Sequence, residues 1–382
     1  MANKDPVRVG VLYSETGVTS TIGKSQLQGT CWPSTRSTRR VPRRQGTGAG
    51  LLRCAVDPGG VCQAGRAPDP RGQGQRDSGL LHVQQPQGGA AAGGKVEQAA
   101  VLPTLYEGFE FSNNIIYTGA APNQNSVQLA EFMTANFGSR VYLIGSDYIY
   151  PYESNRIMSE LVLQRQNSEK VAERYVALDA TEQDFDPIID EIRNLQPDFI
   201  FSTVVGDSAA CLYRAYADAG LDPRTMPIGS LTTSEAEVSQ MGGAGIGHFT
   251  SAPYFQSINS ETNLRCLERF RQRFGAHCVP NQCWEAAYFQ THVFANAFVR
   301  AGTDDPAQLV PKILGSELDA PQGRIRIDPT NHHTCLYPRI GVVNSKGQFT
   351  IVREATRAVH PDPYMVTHSM GDWAAELSTL EL

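Results

Sequence analysis

The chain has 382 residues, of which 33 are lysine or arginine, 39 are aspartate or glutamate and 41% are hydrophobic. This composition suits a soluble globular protein and excludes disordered, collagen-like and disulfide-rich scaffolds. The net charge of −6 argues against a nucleic-acid-binding protein. At roughly 100–200 residues per domain, the length predicts two lobes.

The amino-terminal residues and the cysteines indicate the cellular compartment to expect. Residues 1–10 begin with the polar sequence MANKD and lack the apolar stretch of a secretory signal, so we expect a cytoplasmic protein. No run approaches the roughly 18 apolar residues of a membrane helix, so no membrane association is expected. The eight irregularly spaced cysteines are then expected to be reduced thiols. A mature form of an exported protein would change both expectations.

From about residue 101 the chain alternates strand-like and helix-like segments. An apolar run at 141–147 precedes a helical segment at 154–166, which Ser154 or Asn155 would cap. A strand at 175–180 precedes a helix whose apolar face comprises Phe185, Ile188, Ile189, Ile192 and Leu195. The runs at 198–206 and 226–238 repeat the order of strand, turn and helix. This alternation predicts an α/β fold with a parallel sheet covered on both faces.

The last third of the chain has a different pattern. We expect two longer helices at about 260–274 and 284–301, then a third at 305–318. The segments RIGVVN and GQFTIVRE flank a Ser-Lys-Gly turn at 345–347 and predict a hairpin.

Residues 31–100 differ from their surroundings. They contain ten of the 33 basic residues, four of the 39 acidic residues and thirteen of the 35 glycines. The strand-like segment VRVGVLY at the start should be followed by an amphipathic helix, yet CWPSTRSTRRVPRR has neither helical nor strand periodicity.

Our hypothesis for this segment is a reading-frame shift that leaves it poorly folded. Back-translated with chosen codons and shifted, residues 31–40 give LAVDEINAA, and residues 61–77 give YARLAERLIREDKVNV. The first string is typical of an amphipathic helix and the second of a helix, a turn and a buried strand. Tryptic peptides from residues 46–76 in the purified protein would show that the segment is translated as written.

Two motifs in this segment imitate binding sites. GAAAGGK at 89–95 fits part of a phosphate-binding loop, but Val96 replaces the required Ser or Thr and no strand precedes it. TRSTRRVPRR resembles a basic arm, but no nucleic-acid-binding module accompanies it. We therefore predict neither nucleotide binding nor direct nucleic-acid binding.

Ligands in open α/β sheets bind beyond the carboxyl ends of the strands, so the loops at 103–107, 146–150, 203–207 and 231–235 are candidates. Their candidate ligand-binding side chains are Tyr148, Tyr150, Thr104, Thr203, Thr232 and Thr233. Aromatic walls with neutral hydroxyl groups suit a small uncharged polar ligand. The alternative is that the tyrosines only pack and the hydroxyls only cap helices, with Glu107 and Asp147 as ordinary first-turn charges.

Catalytic and metal chemistry have weaker signals. No G-x-S-x-G motif is present, and no cysteine has an evident histidine partner, so we expect no enzyme. His332, His333 and Cys335 lie within four residues but lack a convincing set of further ligands. We predict no catalytic residue, no metal and no cofactor.

Several motifs resemble one family. They are VGVLYSETGVTSTIGKS, TLYEGFEFSNNIIY, GAAPNQNS, GSDYIYPYESN, FSTVVG, SLTTSEAEV, APYF, WEAAYFQT, DAPQG and HPDPYMVTH. Together they resemble the AmiC-like amide-sensing negative regulators of amidase operons and the related urea and short-chain-amide binding proteins of ABC transporters. The resemblance covers the first 30 residues and nearly all of 101–382.

This resemblance implies the periplasmic-binding protein type I (Leu/Ile/Val-binding-like) fold, with two doubly wound parallel-sheet lobes, a hinge and a central ligand cleft. Lobe 1 would comprise 1–120 and about 253–328, and lobe 2 would comprise 121–252 and about 329–382. The implied ligand-binding residues are Thr104, Leu105, Tyr148, Tyr150, Val204 and, by a weaker correspondence, Thr232. A further Cys-Tyr-x-Ser loop of the family aligns near residues 82–85, which contain neither Tyr nor Ser. The shifted frame restores CYTSSSRK there.

The resemblance implies a non-enzymatic sensor of a small aliphatic amide or urea, which regulates amidase expression through a complex with an RNA-binding antiterminator protein. The alternative is the substrate-binding protein of a urea or short-chain-amide ABC transporter. A third hypothesis, an amide hydrolase, lacks a nucleophile. The sequence does not distinguish acetamide, butyramide, formamide and urea, and it leaves open a homo-oligomer.

Overall fold

The structure is a computed structural model that describes residues 7–13, 20–31, 50–57, 61–67, 80–83, 99–106, 112–303, 305–365 and 377–379. The phosphate-loop-like motif at 89–95 and the basic arm at 35–44 lie outside the described residues. The described elements form two large sheets and one small sheet.

The larger sheet has eight strands in the order β17-β16-β15-β11-β10-β9-β7-β8. Its parallel half alternates with helices along the chain, as the sequence predicts, and its other half is antiparallel. The strands are β7 (Arg140–Ser146), β8 (Glu169–Val176), β9 (Phe199–Thr203), β10 (Ile228–Ser230), β11 (Phe249–Ala252), β15 (Arg339–Val343), β16 (Phe349–Ala355) and β17 (Leu377–Thr379). The predicted hairpin around residues 345–347 is confirmed as the antiparallel pair β15–β16.

Helices cover this sheet, and we call the sheet with these helices the eight-stranded unit. They are α2 (Ser126–Asn136), α3 (Ile149–Val162), α4 (Glu182–Leu195), α5 (Asp207–Asp218) and α6 (Glu235–Met241). The predicted apolar face of α4 is confirmed: Phe185, Ile188, Ile189 and Ile192 are buried in a core that also contains Tyr142 and Phe255. A second core on the other face contains Val127, Leu143, Met158 and Phe201. Burial on both faces explains the nearly continuous apolar runs of β7 and β9.

The smaller sheet has six strands in the order β3-β2-β1-β4-β5-β6. They are β1 (Val7–Tyr13), β2 (Gly50–Asp57), β3 (Val61–Ala67), β4 (Leu80–Val83), β5 (Ala100–Leu102) and β6 (Ile115–Tyr117). The prediction of a parallel, doubly wound sheet holds here only for the pair β5–β6, since the other described pairs are antiparallel. Three residues separate β2 from β3, and a parallel crossover needs about a dozen.

The helices beside this sheet are α1 (Ser20–Cys31), α7 (Glu261–Phe274), α8 (Gln282–Ala301) and α9 (Pro306–Ile313), and we call the assembly the six-stranded unit. Its core joins Val101 and Ile116 of the sheet to Phe289 of α8 and Leu309 of α9. Helix α1 lies against α8 at close range, because a Cβ atom on Gly29 would lie 2.2 Å from the carbonyl oxygen of Trp284. The third sheet is β12 (Glu317–Ala320), β13 (Gly323–Ile327) and β14 (Thr334–Cys335).

Along the chain, the six-stranded unit is left after β6 and again after β14, beside which His333 pairs with Tyr117 of β6, and the eight-stranded unit is left after β11. At these connections Gln124 donates its amide to the carbonyl oxygens of Thr334 and Val359. Arg339 donates to the carbonyl oxygens of Pro253 and Gln322. These hydrogen bonds tie the connections to one another at the position where the resemblance places the hinge. The predicted lobe boundaries at 120, 253 and 328 stay predictions.

Two helix boundaries differ from the sequence prediction. Helix α3 begins at Ile149 and its N-cap is Tyr148, so Ser154 and Asn155 are interior residues and do not cap it. Pro151 is tolerated in the first turn because its missing N–H has no intrahelical partner there. The helix predicted at 305–318 ends at Ile313 because Gly315 takes a left-handed φ of 71° and the chain turns into β12.

No helix in the ranges given above is long and apolar enough to cross a membrane.

Candidate functional site: the strand ends of the two units

In the eight-stranded unit, the candidate residues follow neighbouring parallel strands. Tyr148 and Tyr150 follow β7, Val204 follows β9, and Thr232 follows β10. These strands are adjacent in the sheet, so their carboxyl ends lie along one edge. The structure therefore brings these four predicted residues to a common edge, which is where open α/β sheets bind ligands.

The two tyrosines begin helix α3. Tyr148 is half-buried, Tyr150 is buried, and their ring centroids are 6.3 Å apart. The helix can start close to the sheet because position 145 is glycine: a Cβ there would lie 2.7 Å from both Pro151 Cβ and Thr203 Oγ1. Asn155 joins the helix to the neighbouring strand β9, because its Oδ1 accepts a hydrogen bond from the Thr203 hydroxyl at 3.0 Å. The helix that carries the tyrosines is thus packed against β7 and hydrogen-bonded to β9.

Val204 and Thr232 are in direct contact. The Thr232 hydroxyl donates to the carbonyl oxygen of Val204 at 2.7 Å, and the Thr232 backbone N–H donates to Ser230 Oγ at 3.1 Å. A hydroxyl has one proton and two lone pairs. The Thr232 proton goes to Val204, and Ser230 Oγ lies 3.3 Å from the Thr232 hydroxyl oxygen. Thr232 therefore keeps one lone pair as an acceptor. This residue is suited to receive an N–H from a ligand.

The six-stranded unit contributes Thr104 and Leu105, which follow β5. The neighbouring strand β6 ends close to them, because a Cβ on Gly119 would lie 1.7 Å from the Thr104 carbonyl oxygen. Only glycine permits this approach. Leu105 also lines a narrow cavity of about 10 Å³, together with Gln282 and Cys283 at the start of α8.

Gln282 joins the two units at this place. Its side-chain amide donates to the carbonyl oxygen of Leu231, next to Thr232, at 3.2 Å. Gln282 therefore links the wall that contains Leu105 to the loop that contains Thr232. Gln282 is not among the residues predicted from the sequence. The available signal was Asn281, which caps α8 by accepting the Trp284 N–H at 3.0 Å.

Buried carboxyl groups stand beside the Thr232 loop. Glu235 accepts the Gln256 N–H at 2.7 Å, and Glu237 accepts the Ser234 N–H at 2.8 Å. Burial raises the pKa of Glu235 to about 8 and raises the pKa of Glu237 as well. The second oxygen of each carboxyl group has no hydrogen-bond partner among the described residues. We missed these residues because the sequence signals only a capping box at 234–237.

The same burial affects Cys283, whose pKa rises to about 12, in part through the nearby Glu237. A thiol with a raised pKa is a poor nucleophile. Cys31, Cys211, Cys266, Cys278, Cys283 and Cys335 are free thiols. His333 is buried against Tyr117 with ring centroids 4.4 Å apart, and burial lowers its pKa to about 3. Within the part of the chain that is described, no three such side chains group as metal ligands.

The sequence profile of the periplasmic binding protein domain matches residues 95–370 of the chain. Among curated proteins, the Leu/Ile/Val-binding protein homolog 6 of Brucella suis is 27% identical over 155 residues, which are 39% of this chain and 40% of that protein. A limonene hydroxylase of Geobacillus stearothermophilus is 28% identical over 130 residues, which are 34% of this chain and 24% of that protein. The chain thus spans less than half the length of these curated relatives.

Solved structures show the same fold at low identity. A solute-binding protein of an ABC transporter from R. palustris, in complex with 4-hydroxybenzoate, has a TM-score of 0.57 and 22% identity over 66% of this chain and 68% of that chain. A leucine-, isoleucine-, valine-, threonine- and alanine-binding protein from Brucella ovis in a closed conformation has a TM-score of 0.58 and 17% identity over 67% of this chain and 68% of that chain. The α/β periplasmic-binding protein type I fold is therefore confirmed.

Proposed function

The chain belongs to the periplasmic binding protein domain family, and we propose that it is a non-enzymatic binding protein that holds a small uncharged amide or urea between its two units. Of the relatives with solved structures, the R. palustris protein is a solute-binding protein of an ABC transporter, and the Brucella ovis protein is a leucine-, isoleucine-, valine-, threonine- and alanine-binding protein. They favour a transporter role, which was the alternative in the sequence analysis, over the role of an amidase regulator.

The observation that carries the ligand class is the chemistry of the strand ends. The described residues at 103–106, 146–150, 203–207 and 231–235 include no lysine or arginine. A carboxylate ligand buried there would need a cationic or multiple hydrogen-bonding partner to offset its desolvation. An amide or urea needs only neutral donors and acceptors. The phenol of Tyr148 and the remaining acceptor lone pair of Thr232 meet that need.

The Tyr148 phenol and the Thr232 hydroxyl match the hydrogen-bonding groups of an amide. A primary amide presents one carbonyl acceptor and two N–H donors, which are matched by a phenolic O–H and by hydroxyl or carboxyl oxygens. The aliphatic part of the amide would lie against Leu105 and the tyrosine rings. The proposed site consists of six residues: Thr104, Leu105, Tyr148, Tyr150, Val204 and Thr232.

Calorimetry of the full chain with acetamide, butyramide, formamide and urea tests the ligand class. We expect saturable binding of at least one of them with a stoichiometry of one. Release of ammonia from acetamide would contradict the non-enzymatic role and favour a hydrolase. The limonene hydroxylase match covers 24% of that protein, so its named activity does not bear on this chain.

The regulatory role rests on the motifs GSDYIYP, FSTVVG and SLTTSE, which resemble the amide sensors. An RNA-binding antiterminator that co-purifies with the chain and is released by acetamide would establish that role. Permease genes beside the gene for this chain would favour the transporter. Cell fractionation would decide the location, for which a cytoplasmic protein is the sequence-based prediction.

A further inference from the structure

A second groove lies on the hinge, apart from the proposed ligand cleft. It has a volume of about 940 Å³ and runs between the segment that leads into α7, the last turn of α7, the loop before α8 and the β15–β16 hairpin. Ile258 and Ser260 of the segment that leads into α7 form one side, and Ile351 of β16 forms the other. None of the six residues proposed for the cleft lines this groove. Its two sides belong to the two different units.

Two arginines and one glutamate set the charge of the groove. Arg339 is buried, and its guanidinium donates to Glu354 Oε2 at 3.0 Å and to the carbonyl oxygens of Gln322 and Tyr337 at 2.9 Å and 3.0 Å. Arg339 and Glu354 therefore neutralise each other. Arg271 is exposed, and its described hydrogen bond is a 3.4 Å contact to Gln256 Oε1. With no carboxylate in the described ranges paired to Arg271, the groove keeps one positive charge.

Two glutamine side chains extend the hydrogen bonding from Arg271 across the groove. Gln256 accepts from Arg271 and donates its own amide to Gln348 Oε1 in the β15–β16 turn. This chain of hydrogen bonds connects α7 of the six-stranded unit with the hairpin of the eight-stranded unit. Ile351 is half-buried and Ile258 is buried, and both line the groove beside this chain of hydrogen bonds. A charged head with hydrogen-bonding neighbours and an apolar wall suits a small anion that has an aliphatic body.

We propose that the hinge groove is a second ligand site, which binds a small organic carboxylate with its carboxylate on Arg271 and its aliphatic body against Ile258 and Ile351. The contrast with the cleft supports this assignment, since the described strand ends have no cation while the groove has an uncompensated one. Because the two walls belong to different units, an occupied groove favours the observed arrangement of the units. Binding in the groove and binding in the cleft are then coupled, and the coupling is equal in both directions.

Calorimetry of the full chain with butyrate tests the site directly, in buffers whose ionic strength is balanced with chloride. We expect saturable one-to-one binding, which weakens by about tenfold or more in Arg271→Gln because a charge-assisted hydrogen bond is lost. Arg269→Gln is the matched control, since Arg269 is an exposed residue of the same helix that does not line the groove. Both variants change exposed side chains and are expected to fold.

Two further measurements complete the test. Formate should bind more weakly than butyrate, because it lacks the aliphatic body that contacts the isoleucines. Saturating acetamide should leave the butyrate site available. The proposal is overturned by an absence of saturable butyrate binding, by equal losses in the two arginine variants, or by competition between butyrate and acetamide. The comparison of arginine variants needs no cleft ligand, so it remains decisive even if the proposed function is wrong.

Discussion

The Thr232 hydroxyl donates a 2.7 Å hydrogen bond to the carbonyl oxygen of Val204. This bond joins the loops that follow two neighbouring parallel strands, β9 and β10. It fixes the orientation of the Thr232 lone pairs and the position of the Val204 backbone at the edge where we place the ligand.

Replacing Thr232 by valine tests this relationship. The variant leaves the buried Val204 carbonyl without its described partner, and we expect a loss of about 1–3 kcal/mol in the free energy of unfolding together with weaker amide binding. Denaturation by guanidinium chloride and calorimetry with acetamide measure the two effects. Thr232→Ser keeps the hydroxyl and should retain most of both. Equal behaviour of the valine and serine variants would show that the hydrogen bond is unimportant.

Tyr148→Phe removes one hydroxyl from the proposed cleft. We expect acetamide binding to weaken by about 0.5–1.5 kcal/mol, and by more if a ligand group is left unpaired. Tyr152→Phe is the matched control: Tyr152 lies on the same helix, and its hydroxyl donates to Asp147 at 2.7 Å on the exposed surface. Its removal should leave acetamide affinity unchanged. Unchanged affinity in Tyr148→Phe would remove this residue from the site.

Gly119→Ala tests the close approach between β6 and the Thr104 loop. A Cβ at position 119 would lie 1.7 Å from the Thr104 carbonyl oxygen, so the backbone has to shift. We expect a destabilisation of about 1–3 kcal/mol and weaker ligand binding, since the shift displaces Thr104 and Leu105. Gly243→Ala is the control, because its nearest neighbour would be Ile246 Cδ1 at 3.9 Å. Full binding by Gly119→Ala would show that the loop does not contact the ligand.

The buried carboxyl group of Glu235 predicts a pH dependence of stability. Burial raises its pKa from an ordinary value near 4.5 to about 8. The folded protein therefore keeps a proton that the unfolded chain releases between these values. The stability contributed by this group is complete below about pH 4.5 and is lost as the pH rises through 8, with a slope of up to about 1.4 kcal/mol per pH unit.

Glu235→Gln should remove that slope. Denaturation of both proteins at several values between pH 5.5 and pH 8.5 gives the difference in their free energies of unfolding. We expect the difference to change in favour of the variant as the pH increases. Glu268→Gln, on the exposed face of α7, serves as the control and should follow the wild-type curve. Parallel curves for wild type and Glu235→Gln would mean that Glu235 is ionised in the folded protein.

Local patterns predicted the elements of the eight-stranded unit well. The apolar spacing of Phe185, Ile188, Ile189 and Ile192 depends only on the helical period, and their burial confirms it. The order of strands and helices also placed Tyr148, Val204 and Thr232 after strands, because a parallel sheet brings successive carboxyl ends to one edge.

Contacts between residues far apart in the chain could not be predicted from local sequence patterns. The bond from Gln282 to Leu231 joins residues 51 positions apart, and no local pattern signals it. The burial of Glu235 likewise depends on the packing of the chain around residue 256. In the six-stranded unit the expected parallel order failed because no helix fits between β2 and β3. The reading-frame hypothesis for residues 31–100 stays a prediction, and peptide mapping is its test.

The central claim is that the cleft between the two units binds an uncharged amide or urea without a cationic partner. Calorimetry of the full chain at neutral pH with acetamide, butyramide, formamide and urea, set against leucine and 4-hydroxybenzoate, tests it most directly. Because the hinge groove can take carboxylates, each titration is repeated with Tyr148→Phe and with Arg271→Gln. We predict that an amide or urea binds and that Tyr148→Phe alone weakens it. Tight binding of leucine or 4-hydroxybenzoate that depends on Tyr148, with no response to any amide or urea, would contradict the account.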